Sequence, residues 1–201
     1  MTVDFIYLAS QSPRRSQLLA QIGVRHELLL PDADEDAESL EVMLANEAPS
    51  SYVKRVTQLK LDAAVLRLKK RGLAPAPIIC SDTTVTLSRS IYGKPQDASD
   101  AARMLAKLAG KTHRVLTAVA IGTSRKRVQA MSESRVTFAP LSAALIKAYV
   151  ASGEPMGKAG AYAVQGRAAA FIARISGSYS GIMGLPVFET AQLLRSMNVK
   201  F

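Results

Sequence analysis

"LASQSPRRSQLLAQIG" (Leu8–Gly23) decides how the chain begins to fold. Phe5–Ala9 reads as a buried strand. At Ser10 the apolar run stops, and Ser12 sits where a helix N-cap belongs, with Pro13 at the first helical position. Leu18, Leu19 and Ile22 then recur at helical spacing, and Gly23 supplies a stop. A strand that turns directly into a helix leaves free backbone N–H groups and a partial positive charge at the corner. The hydroxyls of Ser10 and Ser12 and the forked cations of Arg14 and Arg15 add to it, which together make an anion site. Read alone, the same residues also suit an ordinary Ser-Pro helix start with two surface arginines.

Downstream, His26–Leu30 reads as a second strand, followed by an acidic loop with some helical content. Ser50 or Ser51 is placed to cap a long helix to about Arg71, with Val53, Val56, Leu59, Ala63 and Leu66 along one face. Ile78 and Ile79 begin a short buried strand that runs into Ser81 and Asp82, and "TVTLSRSIYGKP" (Thr84–Pro95) alternates, turns and returns as a hairpin. Ser99–Ala109 predicts a helix. His113–Gly122 and Val128–Phe138 predict paired long strands around the "TSRKR" turn. A helix capped by Ser142 follows, then glycine-rich corners at 153–166 and 177–184 around a strand near Ala170–Ile175, then a last helix over Leu185–Met197. The hairpin breaks strict βαβ alternation, so the expected class is α/β with a mixed sheet. No repeat or linker divides the chain, which reads as one domain over residues 1–201.

Hydrophobic residues make up 48% of the 201 residues, enough for a sizeable core. The net charge of +10 is uneven: Asp32–Glu47 holds seven acids and no Lys or Arg, leaving +17 on the remainder. A basic body suits an anionic partner, either nucleic acid or a small phosphorylated ligand. With 5% aromatics and no Trp, stacking on single-stranded nucleic acid is disfavoured. Two distant histidines (His26, His113) and one cysteine (Cys80) leave no His/Cys metal site. A lone thiol suits a reducing cytoplasm. The N-terminus lacks the pattern of a signal peptide, and no apolar run approaches the roughly 18 residues of a membrane span. There is no G-x-x-x-x-G-K-[ST], no G-x-G-x-x-G after the first strand and no G-x-S-x-G elbow.

Three further motifs carry chemistry. In "CSDTTV" (Cys80–Val85) an aspartate at the end of a buried strand is placed to hold a metal or activate water, although Asp82 also suits a turn. In "YGKP" Lys94 follows a glycine at a strand end. In "GAYAVQG" (Gly160–Gly166) Gln165 is flanked by small residues, and its amide can both donate to and accept from a base edge. His113 reads as structural.

"LASQSPRRSQLL", "DADE", "YVKRVTQLKLDAA", "CSDTTV", "GKPQD", "AGAYAVQG" and "GSYSGIMGLPVFET" occur in that order, and the chain thereby resembles the Maf family from about Leu8 to Leu194. The resemblance implies an elongated, two-lobed α/β fold with a twisted mixed sheet and a central cleft. It implies hydrolysis of a nucleoside triphosphate between its α and β phosphates, to monophosphate and pyrophosphate, with a divalent cation (Mg²⁺ or Mn²⁺). It assigns Ser10, Arg15, Lys60 and Lys94 to phosphates, Glu35 to the metal and triphosphate, and Asp82 to the attacking water. Whether Asp82 is base, metal ligand or both stays open.

Arg14, Thr83 and Gln165 resemble the subgroup acting on dTTP and UTP; the 7-methyl-GTP subgroup tends to carry Trp, Gln and Glu instead. The expected role is removal of non-standard pyrimidine triphosphates from the nucleotide pool, with a homodimer left open. One departure stands out: the stretch between Glu35 and Tyr52 is several residues longer than the family pattern. The competing function is a non-catalytic regulator of cell division that binds nucleotides or nucleic acid.

Overall fold

The computed structural model describes residues 3–32, 35 and 39–201. The acids Asp34, Asp36 and Glu38 of the long acidic segment lie outside the described residues.

The opening corner folds as its residues dictate. Strand β1 (Ile6–Leu8) is fully buried, and helix α1 (Pro13–Gln21) starts with Pro13 after Ser12. Ser12 occupies the N-cap position, yet its hydroxyl makes no capping hydrogen bond. The Ser12 N–H instead donates to the Oγ of Ser10 at 3.2 Å. Strand β2 (His26–Leu28) lies parallel to β1. The long helix α2 (Pro49–Lys70) begins at Pro49 with Ala48 in the cap position, so neither Ser50 nor Ser51 caps it.

Strand β3 (Ile78–Leu87) is longer than the sequence suggested. "CSDTTV" does not end it but forms its middle. The hairpin closes onto β4 (Ser90–Tyr92), and α3 (Ala98–Leu108) starts from Asp97, whose side chain accepts from the Asp100 N–H. Strands β5 (Thr112–Gly122) and β6 (Arg127–Phe138) pair antiparallel along their whole length. Helix α4 (Ala143–Ala151) is capped by Ser142, as expected. Strand β7 (Ile172–Ser176), the short helix α5 (Tyr179–Met183) and α6 (Val187–Ser196) complete the order. Helix α5 lies in a stretch that the sequence presents only as a glycine-rich corner.

Among the described residues, seven strands form one sheet in the order β2-β1-β3-β5-β6-β7, with β4 paired to β3. The β2-β1-β3 side is parallel and the β3-β5-β6-β7 side antiparallel, the mixed sheet that the hairpin demanded.

Successive strand residues point to opposite faces. Ile78 and Cys80 therefore meet Leu61 and Ala64 of α2, while Ile79 packs with Leu18 and Leu19 of α1 and Leu194 of α6. Ala118 and Ala120 on β5 are small, which lets α2 lie close against the sheet. At its far end β3 enters a second core through Val85, shared with Leu105 of α3 and Tyr149 of α4. Between the two cores lie Ser81–Thr84, four polar residues in mid-strand. That gap in the apolar lining is the cleft.

The stripe of α2 that faces the sheet is turned from the predicted one. Val53 and Val56 are buried as expected, but Leu66 is 68% exposed, and the buried face continues through Leu61, Ala64 and Arg67. Its physical cause is that Lys60 and Arg67 meet carboxylates in the cleft, so the helix presents charge where an all-apolar stripe was expected.

Candidate active site

Every site residue singled out from sequence lines one cleft of about 800 Å³: Ser10, Arg14, Arg15, Glu35, Lys60, Asp82, Thr83, Lys94 and Gln165. They arrive from elements far apart in the chain. The parity of β3 sorts two of them. Asp82 shares the face of Ile78 and Cys80 and so meets α2, while Thr83 points to the opposite face.

The two arginines are held by the far corner. Arg15 donates from Nε to the Gly184 carbonyl at 2.8 Å and from Nη1 to Ser10 Oγ at 3.0 Å, and Arg14 donates from Nε to the Met183 carbonyl at 3.3 Å. Burial lowers the Arg15 pKa, and the nearby Asp82 carboxylate opposes that shift. Gly184 has φ 114°, the left-handed region that favours glycine. Its carbonyl also accepts from Ser81 Oγ at 2.9 Å, so one backbone oxygen ties the corner to both Arg15 and β3. Thr117 Oγ1 donates to the Gly181 carbonyl at 2.7 Å and lies 3.1 Å from Thr83 Oγ1, whose own hydroxyl can donate to it. Helix α5, unread in the sequence, thus supports both the arginines and Thr83.

Across the cleft, Lys60 Nζ donates to Asp82 Oδ1 at 2.6 Å and to Glu41 Oε1 at 2.8 Å. Burial alone would lower the Lys60 pKa, but Asp82 and Glu41 outweigh it and the value is raised. Lys94 Nζ lies 3.4 Å from both Glu41 oxygens. For Glu41, burial favours the neutral acid, yet Lys60 and Lys94 hold its pKa below the ordinary range. Sequence reasoning missed Glu41. In the sequence it is one of seven acids from Asp32 to Glu47, and nothing there sets it apart from the others. The turn Ser39–Glu41 carries it in, fixed by the Tyr52 hydroxyl, which donates to the Glu41 carbonyl at 2.9 Å.

Glu35 is placed differently from Glu41. Arg67 grips its carboxylate with three contacts of 2.5 to 3.1 Å, while Arg67 Nη1 donates to the Leu29 carbonyl at 3.0 Å. Hydrogen bonds from Arg67 bring the Glu35 pKa to about 2. Glu35 lines the cleft, but its oxygens are committed to a guanidinium.

At the other end, Tyr162–Val164 are buried and Gln165 is exposed to the cleft. Among the described residues nothing bonds the Gln165 amide. Glu154, also missed, pins the backbone beyond it: the carboxylate accepts from the Arg167 N–H at 2.9 Å and from the Tyr149 hydroxyl at 2.8 Å. Gly160 has φ 68° and faces Val85 so closely that a Cβ would fall 2.8 Å from it, which explains the glycine in "GAYAVQG". His113 is structural, as read: it is buried, bonds Tyr162 at 2.9 Å, and burial drops its pKa to about 4. Cys80 is buried and its thiol is pushed up to about 12, so it is no nucleophile.

The described lining holds six cationic side chains (Arg14, Arg15, Lys60, Arg67, Lys94, Lys158) and four acidic ones (Asp32, Glu35, Glu41, Asp82). Among the described residues no three His, Cys, Asp or Glu side chains gather as a metal cage. A family model described as "Maf-like protein" matches residues 5–197. The chain belongs to the Maf family. It is 74% identical over 197 residues to a dTTP/UTP pyrophosphatase of Albidiferax ferrireducens, covering 98% of each chain. It is 68% identical to one of Polaromonas sp., again covering 98% of each. A solved nucleoside-triphosphatase / dITP/XTP pyrophosphatase from Mycobacterium abscessus aligns with TM-score 0.43 and 16% identity, over 68% of this chain and 75% of that one.

Proposed function

We propose that this Maf protein hydrolyses dTTP and UTP, and modified pyrimidine triphosphates, to the monophosphate and pyrophosphate. The observation that carries the reading is the convergence of nine residues from separate motifs on one cleft rich in cations. Relatives of 74% and 68% identity named dTTP/UTP pyrophosphatase support it.

A triphosphate carries about four negative charges, and phosphoryl chemistry is largely positioning and charge stabilisation. Arg15, already fixed by Ser10 and Gly184, needs no reorganisation to hold phosphate oxygens. Lys60 and Lys94 turn from their carboxylates to the polyphosphate. That movement frees Asp82 to accept a proton from water as its oxygen attacks the α-phosphorus. The α–β bridge then breaks, and pyrophosphate departs with the electron pair. Gln165, its amide unengaged, pairs with the O4 and N3–H edge of uracil or thymine.

The residues fit a divalent cation that arrives with its substrate. Magnesium keeps several waters and takes one or two carboxylates plus phosphate oxygens. Asp82 would hold it. A second carboxylate from Glu35 would require Arg67 to let go. The ion would neutralise charge on the phosphates and lower the pKa of bound water. A reducing cytoplasm suits the buried free thiol of Cys80.

The test is a product assay. Pyrophosphate and dTMP or UMP in equal amounts are expected. Orthophosphate with a nucleoside diphosphate, or no turnover, overturns the reading.

A further inference from the structure

We infer that Glu41 is an internal competitor for the polyphosphate: its carboxylate occupies the subsite of Lys60 and Lys94 and weakens the cleft's hold on phosphate chains, above all on the pyrophosphate product. This rests on the proposed function, which gives those two lysines to the phosphates.

Two observations support it. First, Glu41 Oε1 lies 2.8 Å from Lys60 Nζ, and Lys94 Nζ is 3.4 Å from both oxygens, so one anion engages both lysines. A phosphate oxygen bound by both would take the same place.

Second, the backbone around Glu41 is tethered independently of its carboxylate, which among the described residues bonds the two lysines alone. Tyr52 holds the Glu41 carbonyl, Arg55 Nη2 donates to the Val42 carbonyl at 2.9 Å, and Arg55 binds Glu47 through two contacts of 2.7 Å. A carboxylate swung aside by a substrate therefore stays at the rim and returns when the subsite empties.

The energetic consequence follows from competition. A ligand whose site is partly occupied by an internal group binds with its intrinsic affinity scaled by the fraction left open. A metal-loaded triphosphate makes further contacts at Arg15 and at the base end and overcomes the competitor. Free pyrophosphate has neither the base nor the sugar, and the returning carboxylate displaces it. With the Glu41 side chain 28% exposed and Lys94 50% exposed, the effect is partly screened and shrinks as salt rises.

The experiment titrates inorganic pyrophosphate, first without metal and then with Mg²⁺, into the full chain and its variants by calorimetry. Glu41→Gln keeps the shape and removes the charge; Glu41→Ala removes both; thermal melts check that each is folded. Glu133→Gln, an equal charge change at the remote Arg114 pair, controls for net charge. Both Glu41 variants are expected to bind pyrophosphate about tenfold more tightly than wild type, the control unchanged, with the gain reduced by added salt. The inhibition constant of pyrophosphate in turnover falls by the same factor. Equal or weaker binding in the Glu41 variants overturns the inference, and weaker binding only with Mg²⁺ present makes Glu41 a cation ligand instead. Wild type turning over dTTP while Glu41→Gln leaves pyrophosphate affinity unchanged defeats this inference alone. Wild type producing no pyrophosphate from any triphosphate defeats the reading beneath it.

Discussion

Removing Lys60 is the sharpest probe of the electrostatics of the cleft. Its ammonium lies 2.6 Å from Asp82 Oδ1 and 2.8 Å from Glu41 Oε1, so those two oxygens lie at most 5.4 Å apart. In Lys60→Met two carboxylates would face each other with nothing between them. At 5 Å and an effective dielectric of about 20, their repulsion is about 3 kcal/mol. Partial exposure of Glu41 and the neighbouring Lys94 reduce that, so a loss of about 2 kcal/mol at pH 8 is expected. The sign of the pH dependence is fixed by the same geometry. Without Lys60, at least one of the two carboxyls has its folded-state pKa raised above the unfolded value. Protons then favour the folded variant, and its deficit relative to wild type shrinks as pH falls from 8 to 5. Urea unfolding of both proteins at the two pH values measures this. A deficit of the same size at pH 5 and pH 8 would refute the reasoning and reduce Lys60 to a packing residue.

Asp82→Asn should lower turnover by about 10³-fold or more while a non-hydrolysable triphosphate analogue binds within a few-fold of wild type, measured by rapid quench and calorimetry; an unchanged rate sinks the role given to Asp82. Gln165→Glu should reduce kcat/KM for UTP and dTTP more than for GTP, and equal losses on every base would make Gln165 structural. Glu35→Gln should flatten the acid side of the stability profile. The folded pKa of Glu35 is about 2, below its ordinary 4.5, so the carboxylate contributes stability above 4.5 that is lost as pH falls towards 2. Thermal melts across that window check it; an unaltered slope would mean that the Arg67 pair contributes nothing measurable.

Much of this was legible in the sequence because local chemistry and tertiary structure agree there. Ser12 and Pro13 start α1, Ser142 caps α4, and the alternation across "TVTLSRSIYGKP" closes the β3–β4 hairpin. The candidate site residues come from ordered motifs, and the structure gathers them along one cleft. What failed has physical causes. The polar run Ser81–Thr84 resembles the end of a strand, yet it is the middle of one, because β3 passes between two apolar cores and leaves its centre to a cleft. Helix α5 is only five residues long, with Gly181 at its centre, and it depends on Ser178 accepting the Gly181 N–H and on Thr117 donating to the Gly181 carbonyl. Neither contact has a periodic signature. The α2 stripe turned because Lys60 and Arg67 are satisfied by carboxylates that no helical pattern reveals. Glu41 stayed hidden among seven acids, since only the fold distinguishes the one that reaches two lysines from those that do not.

The central claim is that this cleft cleaves the α–β anhydride of pyrimidine nucleoside triphosphates. The most direct test incubates the purified protein with Mg²⁺ or Mn²⁺ and dTTP, UTP, CTP, GTP, 7-methyl-GTP and modified pyrimidine triphosphates, with pyrophosphate resolved from orthophosphate. Pyrophosphate released from dTTP and UTP faster than from the purine nucleotides is the predicted result. Release led by 7-methyl-GTP, or orthophosphate as the primary product, would contradict it.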